Sequence, residues 1–99
     1  MSEVAVVAIA IAKPGHEEAV LESLKGIVGP TLKEAGVLQY DLHRDVREPK
    51  RFVFVERWES EEALAAHAAS PHIAAHVKRV ADWLEHAEVR VLKKLDQGN

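Results

Sequence analysis

Apolar residues run without interruption from Val4 to Ala12 and stop at Lys13-Pro14-Gly15. A β-branched run closed by Pro-Gly predicts a buried strand over about 3–12. The period then changes. Val20, Leu21, Leu24, Val28 and Leu32 recur at helical spacing and predict a helix from about His16 to Ala35 with that stripe buried. Glu17, Glu18 and Glu22 stand near its start, where the helix dipole favours negative charge. Gly29-Pro30 falls inside the pattern and predicts a kink or a break, and Gly36 predicts the helix end. Alternation returns with Leu38, Tyr40 and Leu42 against Gln39, Asp41 and His43, which predicts a strand over 37–45. A polar turn over 46–50 holds Pro49, and a further strand is expected over 51–59. So short a connection makes these two strands an antiparallel hairpin.

Ser60 followed by Glu61 and Glu62 predicts a capped short helix with Ala63, Leu64, His67 and Ala68 on one side. Ser70-Pro71 repeats the signal, a capping serine and then proline at the first helical position. Ile73, Val77, Val80 and Leu84 form the apolar stripe of this second helix, expected to run to about His86. A last strand is expected over 87–95, followed by a frayed tail over 96–99. No repeat, linker or low-complexity stretch interrupts residues 1–99, so one domain is expected.

The order β-α-β-β-α-α-β is an α+β, ferredoxin-like pattern with a four-stranded antiparallel sheet and its second helix divided in two. That topology makes the first and third strands central, and both are apolar on two faces. The first puts Val4, Val6, Ala8 and Ala10 on one side and Ala5, Val7, Ile9 and Ile11 on the other. The third puts Phe52, Phe54 and Trp58 against Val53 and Val55. Helices can cover one face. A second copy of the chain is expected to cover the other, as a homodimer.

Composition adds limits. A chain of 99 residues is one domain's worth and buries only about 60–70% of the surface its unfolded form exposes. An apolar content of 47% with 5% aromatic residues predicts an aliphatic core. The formal charge is −3, with 6 Lys+Arg against 8 Asp+Glu in residues 1–50 and 7 against 8 in residues 51–99. No basic face or tail results, which argues against nucleic acid or an anionic membrane as a partner. The absence of cysteine rules out disulfides, thiolate chemistry and Cys-based zinc sites, and is compatible with the cytoplasm, where the chain is expected. The run Val4–Ala12 is too short to span a bilayer, and Glu3 stands where a signal peptide would carry a basic residue.

A family resemblance rests on an ordered series. It comprises Ala35-Gly36-Val37-Leu38-Gln39-Tyr40-Asp41-Leu42-His43-Arg44-Asp45, Pro49, Arg51-Phe52-Val53-Phe54-Val55-Glu56-Arg57-Trp58, Ala63-Leu64, His67 and Ser70-Pro71-His72. The sequence resembles the antibiotic biosynthesis monooxygenase (ABM) family over nearly the whole chain, in particular its branch of small quinol monooxygenases. The resemblance implies a ferredoxin-like protomer, a dimeric α+β barrel, and a pocket between each sheet and its helices. It often implies oxygenation without metal, flavin or haem. The family is chemically diverse, and fold does not give reaction. Haem-degrading relatives use an Asn on strand 1, a Trp on the helix after strand 3 and an axial His on the next helix. Here strand 1 is Val and Ala apart from two Ile, and His67 stands near the Trp position, which argues against haem.

Each candidate residue carries two readings. Glu56 shares a strand face with Phe52, Phe54 and Trp58. It is a base or orienting group in a pocket, or it is held in an ion pair with Arg57, or with Arg44 of a neighbouring chain, because an unpaired buried carboxylate is expensive. His67, beside Ala63 and Leu64, should point at the sheet, and histidine suits proton removal from a phenol or enol. The plainer reading is a core-edge histidine bonded to a carbonyl. His72 is a second candidate base or a helix cap. His72 and His76 are four apart and could meet a metal, but without a third ligand no metal is expected. Tyr40, Trp58, Phe54 and Leu64 line a pocket for a flat aromatic substrate, or are plain core. Trp83 is expected to pack, and His16 and His43 to lie at the surface.

The activity expected is oxidation of a small phenolic, quinol or polyketide-like substrate by O2 without a cofactor, with His67 as the first-choice base and Glu56 and His72 beside it. A non-catalytic small-molecule-binding or stress protein on the same scaffold is the alternative from another class, and an O2-independent isomerase is a third.

Overall fold

A computed structural model describes residues 2–98. Four strands and three helices follow one another in the expected order: β1 (Val4–Ala12), α1 (Glu17–Leu32), β2 (Val37–Arg44), β3 (Arg51–Trp58), α2 (Glu61–Ala68), α3 (Pro71–Val80) and β4 (Leu84–Leu92). One antiparallel sheet forms in the order β2-β3-β1-β4, so the two doubly apolar strands are the central ones. Register sets Val6 against Glu56, Ala8 against Phe54 and Ala10 against Phe52. The even-numbered residues of β1 and β3 therefore share the face that the helices cover, where Val4, Val6, Phe52, Phe54 and Trp58 are buried. The opposite face holds Ala5, Val7, Ile9, Ile11, Val53 and Val55, all only half-buried.

Several boundaries differ from the sequence reading. Helix α1 passes Gly29-Pro30 as one helix, because Pro30 lies in its last turn. The bond that proline forfeits would go to the carbonyl of Gly26, whose exposure leaves water to satisfy it. Gly36 is not the helix end; Leu32 is, and Gly36 closes the turn into β2 at φ +85. A Cβ there would stand 2.6 Å from the Cβ of Ala63, so α2 approaches the turn over a bare backbone. Helix α3 stops at Val80, six residues early, and a 3₁₀ turn over Ala81–Trp83 leads into β4. Trp83 O accepts from Lys13 N at 2.8 Å, and Leu84 pairs with Ala12, so pairing to β1 captures this segment before the helix can continue.

The buried stripe of α1 is also rotated. Val20, Ser23, Leu24, Ile27 and Thr31 are buried, while Leu32 is 54% exposed. Two hydroxyl residues thus replace expected apolar ones, and each meets a histidine of α3. At α2 the Ser60 side chain accepts from Ala63 N, as expected, whereas the Ser70 hydroxyl donates back to His67 O instead of capping α3. Residues 93–98 carry no regular structure, and position 99 of the expected tail lies outside the described residues. Among the described residues no helix is long and apolar enough to cross a membrane.

Candidate active site

Between the helix-covered face of the sheet and helices α1–α3 lies a cavity of about 490 Å³. Its wall is mostly aliphatic and aromatic: Val6, Phe52, Phe54, Leu64, Ile73 and Leu84 contribute, and Tyr40, Glu56, His67 and His76 supply polar groups. A mainly apolar cleft with a few convergent polar groups is the usual form of a small-molecule site. Val77 on α3 and Val89 on β4 line it while each remaining 59% exposed, which marks its mouth between those two elements.

His67 projects from α2 onto the sheet and is buried. Its ring lies 4.6 Å from the Trp58 ring and meets Tyr40 edge-on at 5.3 Å. Its Nδ1 stands 2.7 Å from Glu34 Oε2, in the turn after α1. The same oxygen takes His72 Nε2 at 3.0 Å, and that nitrogen also lies 3.0 Å from the buried Thr31 hydroxyl. No pairing of His72 with His76 forms, since His76 turns its Nδ1 to Ser23 Oγ at 2.8 Å. An ionised carboxylate only accepts, so both histidine nitrogens facing Glu34 carry protons. For neutral His67 the proton is then on Nδ1, and Nε2 keeps a free lone pair. Glu34, His67 and His72 also bring one oxygen and two nitrogens within 4.8 Å of one another, a donor set that the sequence reading did not assemble.

Of the two readings of Glu56, the ion pair with Arg57 does not form within the chain. Arg57 pairs with Glu3 and Arg44 with Glu18, and Glu56 instead accepts the Trp58 indole N–H at 2.8 Å. Burial pushes its carboxyl above the ordinary range, with the Trp58 bond and the nearby His67 pulling the other way. Burial also pushes the Tyr40 phenol up, Glu56 adds to that, and a hydrogen bond with Thr31 opposes it. Tyr40 stacks on Phe54 at 4.2 Å between centroids. Of the four expected pocket aromatics and aliphatics, Tyr40, Phe54 and Leu64 line the cavity. Trp58 is fully buried away from its wall, where it supports Glu56 and His67. Trp83 is half-buried against the core as expected, but His16 stacks on it at 6.3 Å instead of standing free at the surface.

The profile of the family described as "Antibiotic biosynthesis monooxygenase" matches residues 4–79. This chain belongs to that family. "Probable quinol monooxygenase YgiN" of Escherichia coli is 32% identical over 91 residues, covering 82% of this chain and 88% of that one. The structure of Rv0793 from Mycobacterium tuberculosis superposes with a TM-score of 0.90 at 32% identity, over 99% of this chain and 100% of that one. PA3566 from Pseudomonas aeruginosa gives 0.91 at 31%, over 97% of each chain. The two superposed structures share the ferredoxin-like fold, and the family match with the YgiN likeness places the protein in a monooxygenase family. The match ends at residue 79, and so spans α1 and the turn after it, the hairpin, α2 and most of α3, the segments that carry Glu34, Glu56, His67 and His72.

Proposed function

We propose that the protein is a monooxygenase that oxidises a small phenolic or quinol substrate with O2 and without a cofactor, working as a cytoplasmic homodimer. One observation carries the reading: His67 is a buried histidine whose Nδ1–H is held by Glu34, leaving Nε2 as the only basic nitrogen it can turn on the apolar cavity. The resemblance to a quinol monooxygenase supports the substrate class. The absence of cysteine fits a cytoplasmic setting.

The chemistry follows from those groups. His67 Nε2 takes the proton of a phenolic hydroxyl, and the imidazolium formed is stabilised by the Glu34 carboxylate on its other side. The electron-rich phenolate reacts with O2 at a ring carbon that bears hydrogen, forming a C–O bond and a peroxide anion, which takes the proton back from the His67 imidazolium to give a hydroperoxide. Loss of water then leaves a carbonyl at that carbon. The balance is one phenol and one O2 to one quinone and one water, with the substrate supplying the electrons, so the step calls for no redox group. The aliphatic wall keeps bulk water from the intermediates. Tyr40, whose phenol is held protonated, and Phe54 offer a stacking surface for the ring.

Oxygen uptake with a panel of quinols and naphthols tests the reading. Uptake by the wild type that His67→Ala reduces to the uncatalysed rate is expected. Binding of the same compounds with no oxygen consumed would overturn it in favour of a ligand-binding protein, and conversion under nitrogen would point to an isomerase.

A further inference from the structure

A second histidine of the cavity has its proton fixed in the opposite sense. His76, on α3, places Nδ1 2.8 Å from the hydroxyl oxygen of Ser23 on α1. Arg79, three residues along the same helix, points Nη1 at that oxygen, also at 2.8 Å. A guanidinium can only donate, so one lone pair of the Ser23 oxygen accepts from Arg79, and the hydroxyl proton is left to be donated to His76 Nδ1, the direction we assign. With Nδ1 accepting, a neutral His76 carries its hydrogen on Nε2, the nitrogen left to meet a bound molecule. Burial first, and then the neighbouring Arg79 charge, hold His76 below the ordinary histidine range, so the ring is neutral near pH 7. His67 has the reverse arrangement, hydrogen on Nδ1 and lone pair on Nε2, and both rings line one cavity.

Ser23 is only 7% exposed in the middle of the buried stripe of α1, a place where an apolar side chain would serve packing better. A hydroxyl there is costly unless bonded. Its two bonds, to Arg79 and to His76, are the ones from which the tautomer of His76 is inferred.

We propose that His76 donates Nε2–H to the substrate, and that the cavity selects a flat molecule with two separated oxygens, an ionisable hydroxyl for His67 and a hydrogen-bond-accepting oxygen for His76. Ser23 and Arg79 are positioning residues that act through His76. The hydroxyl assigned to His67 rests on the reading given above; the position of the proton on His76 does not.

Two measurements test this. Long-range proton–nitrogen correlation spectra of the free protein near neutral pH should show His76 in the Nε2–H form and His67 in the Nδ1–H form. Finding His76 protonated on Nδ1 overturns the proposal. Binding is then followed by tryptophan fluorescence under nitrogen with 1,4-dihydroxynaphthalene and with 1-naphthol, which lacks the second oxygen. The wild type should prefer the diol by about tenfold, the worth of one net hydrogen bond. His76→Leu should remove that preference and leave 1-naphthol affinity in place, His76→Gln should restore part of it through its amide N–H, and Ser23→Ala should weaken it. A preference that survives His76→Leu, an equal loss for both compounds, or binding of neither overturns the proposal. Selective binding by a protein that consumes no oxygen in air overturns only the oxygenase reading.

Discussion

At the scale of single residues, the site is a set of polar groups whose partners are decided by burial. Glu56 shows the cost. Its native carboxyl titrates above the ordinary 4.5, chiefly because burial penalises the charge. Between 4.5 and that raised value the unfolded chain has lost a proton that the native state still holds, so stability falls as pH rises through this window and stays reduced above it. Glu56→Gln keeps an oxygen for the Trp58 N–H and removes the charge. The variant should melt at the wild-type temperature near pH 4 and at a higher temperature at pH 7, as calorimetry at the two pH values would show. Glu34 has the opposite importance, since its charge is what orders two histidines. Glu34→Gln can keep one oxygen for both rings, since a single oxygen of Glu34 meets both, but removes the charge that stabilises the imidazolium of His67. Oxygen uptake should then fall by about 10²-fold or more, with KM nearly unchanged, as for a group acting on the proton transfer. The sequence revealed His67 through its place on the inner side of α2. It gave no mark for Glu34, which lies beyond the helical stripe, in a turn. Ser23 and Thr31 were hidden for a related reason: hydrophobic periodicity counts a hydroxyl as an outward position, and here each is turned inward by a histidine 41 or 53 residues away.

At the scale of elements, local signals located the strands and helices well and failed where pairing with distant chain decides an end. The stop of α3 at Val80 follows from β4 pairing to β1, information that a local pattern does not contain. Gly36 was read as a helix stop, yet its role is to let α2 approach. The two positive-φ glycines at turns separate these effects. Gly15, at φ +88 with open space around it, should lose about 1–2 kcal/mol on substitution by alanine, the cost of left-handed backbone. Gly36→Ala adds a contact at 2.6 Å to the same backbone cost, and about 2–4 kcal/mol of destabilisation is expected. Urea unfolding of the two variants side by side would measure the difference. Equal losses would mean that α2 yields without strain.

At the scale of the whole molecule, the outer face of the sheet poses the question that the inner face answers. Its centre is an apolar strip two strands wide, Ala5, Val7, Ile9 and Ile11 on β1 beside Val53 and Val55 on β3. Polar side chains border it on both edges. Asp41 and His43 stand across from Val55 and Val53 on β2, and His86, Glu88 and Arg90 stand across from Ile11, Ile9 and Val7 on β4. An apolar centre with a polar rim is the build of a protein–protein interface, and among the described residues no helix covers it. A second copy fits because an identical strip offers the same shape and the same lack of charge at the centre. Ile9 and Val53 are direct cross-strand partners at the middle of the strip, so a carboxylate at either would be buried unpaired on association. Light scattering after gel filtration should give twice the chain mass for the wild type and the chain mass, or insoluble protein, for Ile9→Glu and Val53→Glu. Val46→Glu, on a hairpin residue that is 90% exposed, should leave the dimer intact. Because the cavity opens on the opposite face, soluble monomers should keep the spectral signature of the two histidine tautomers, which separates loss of the partner from loss of the fold.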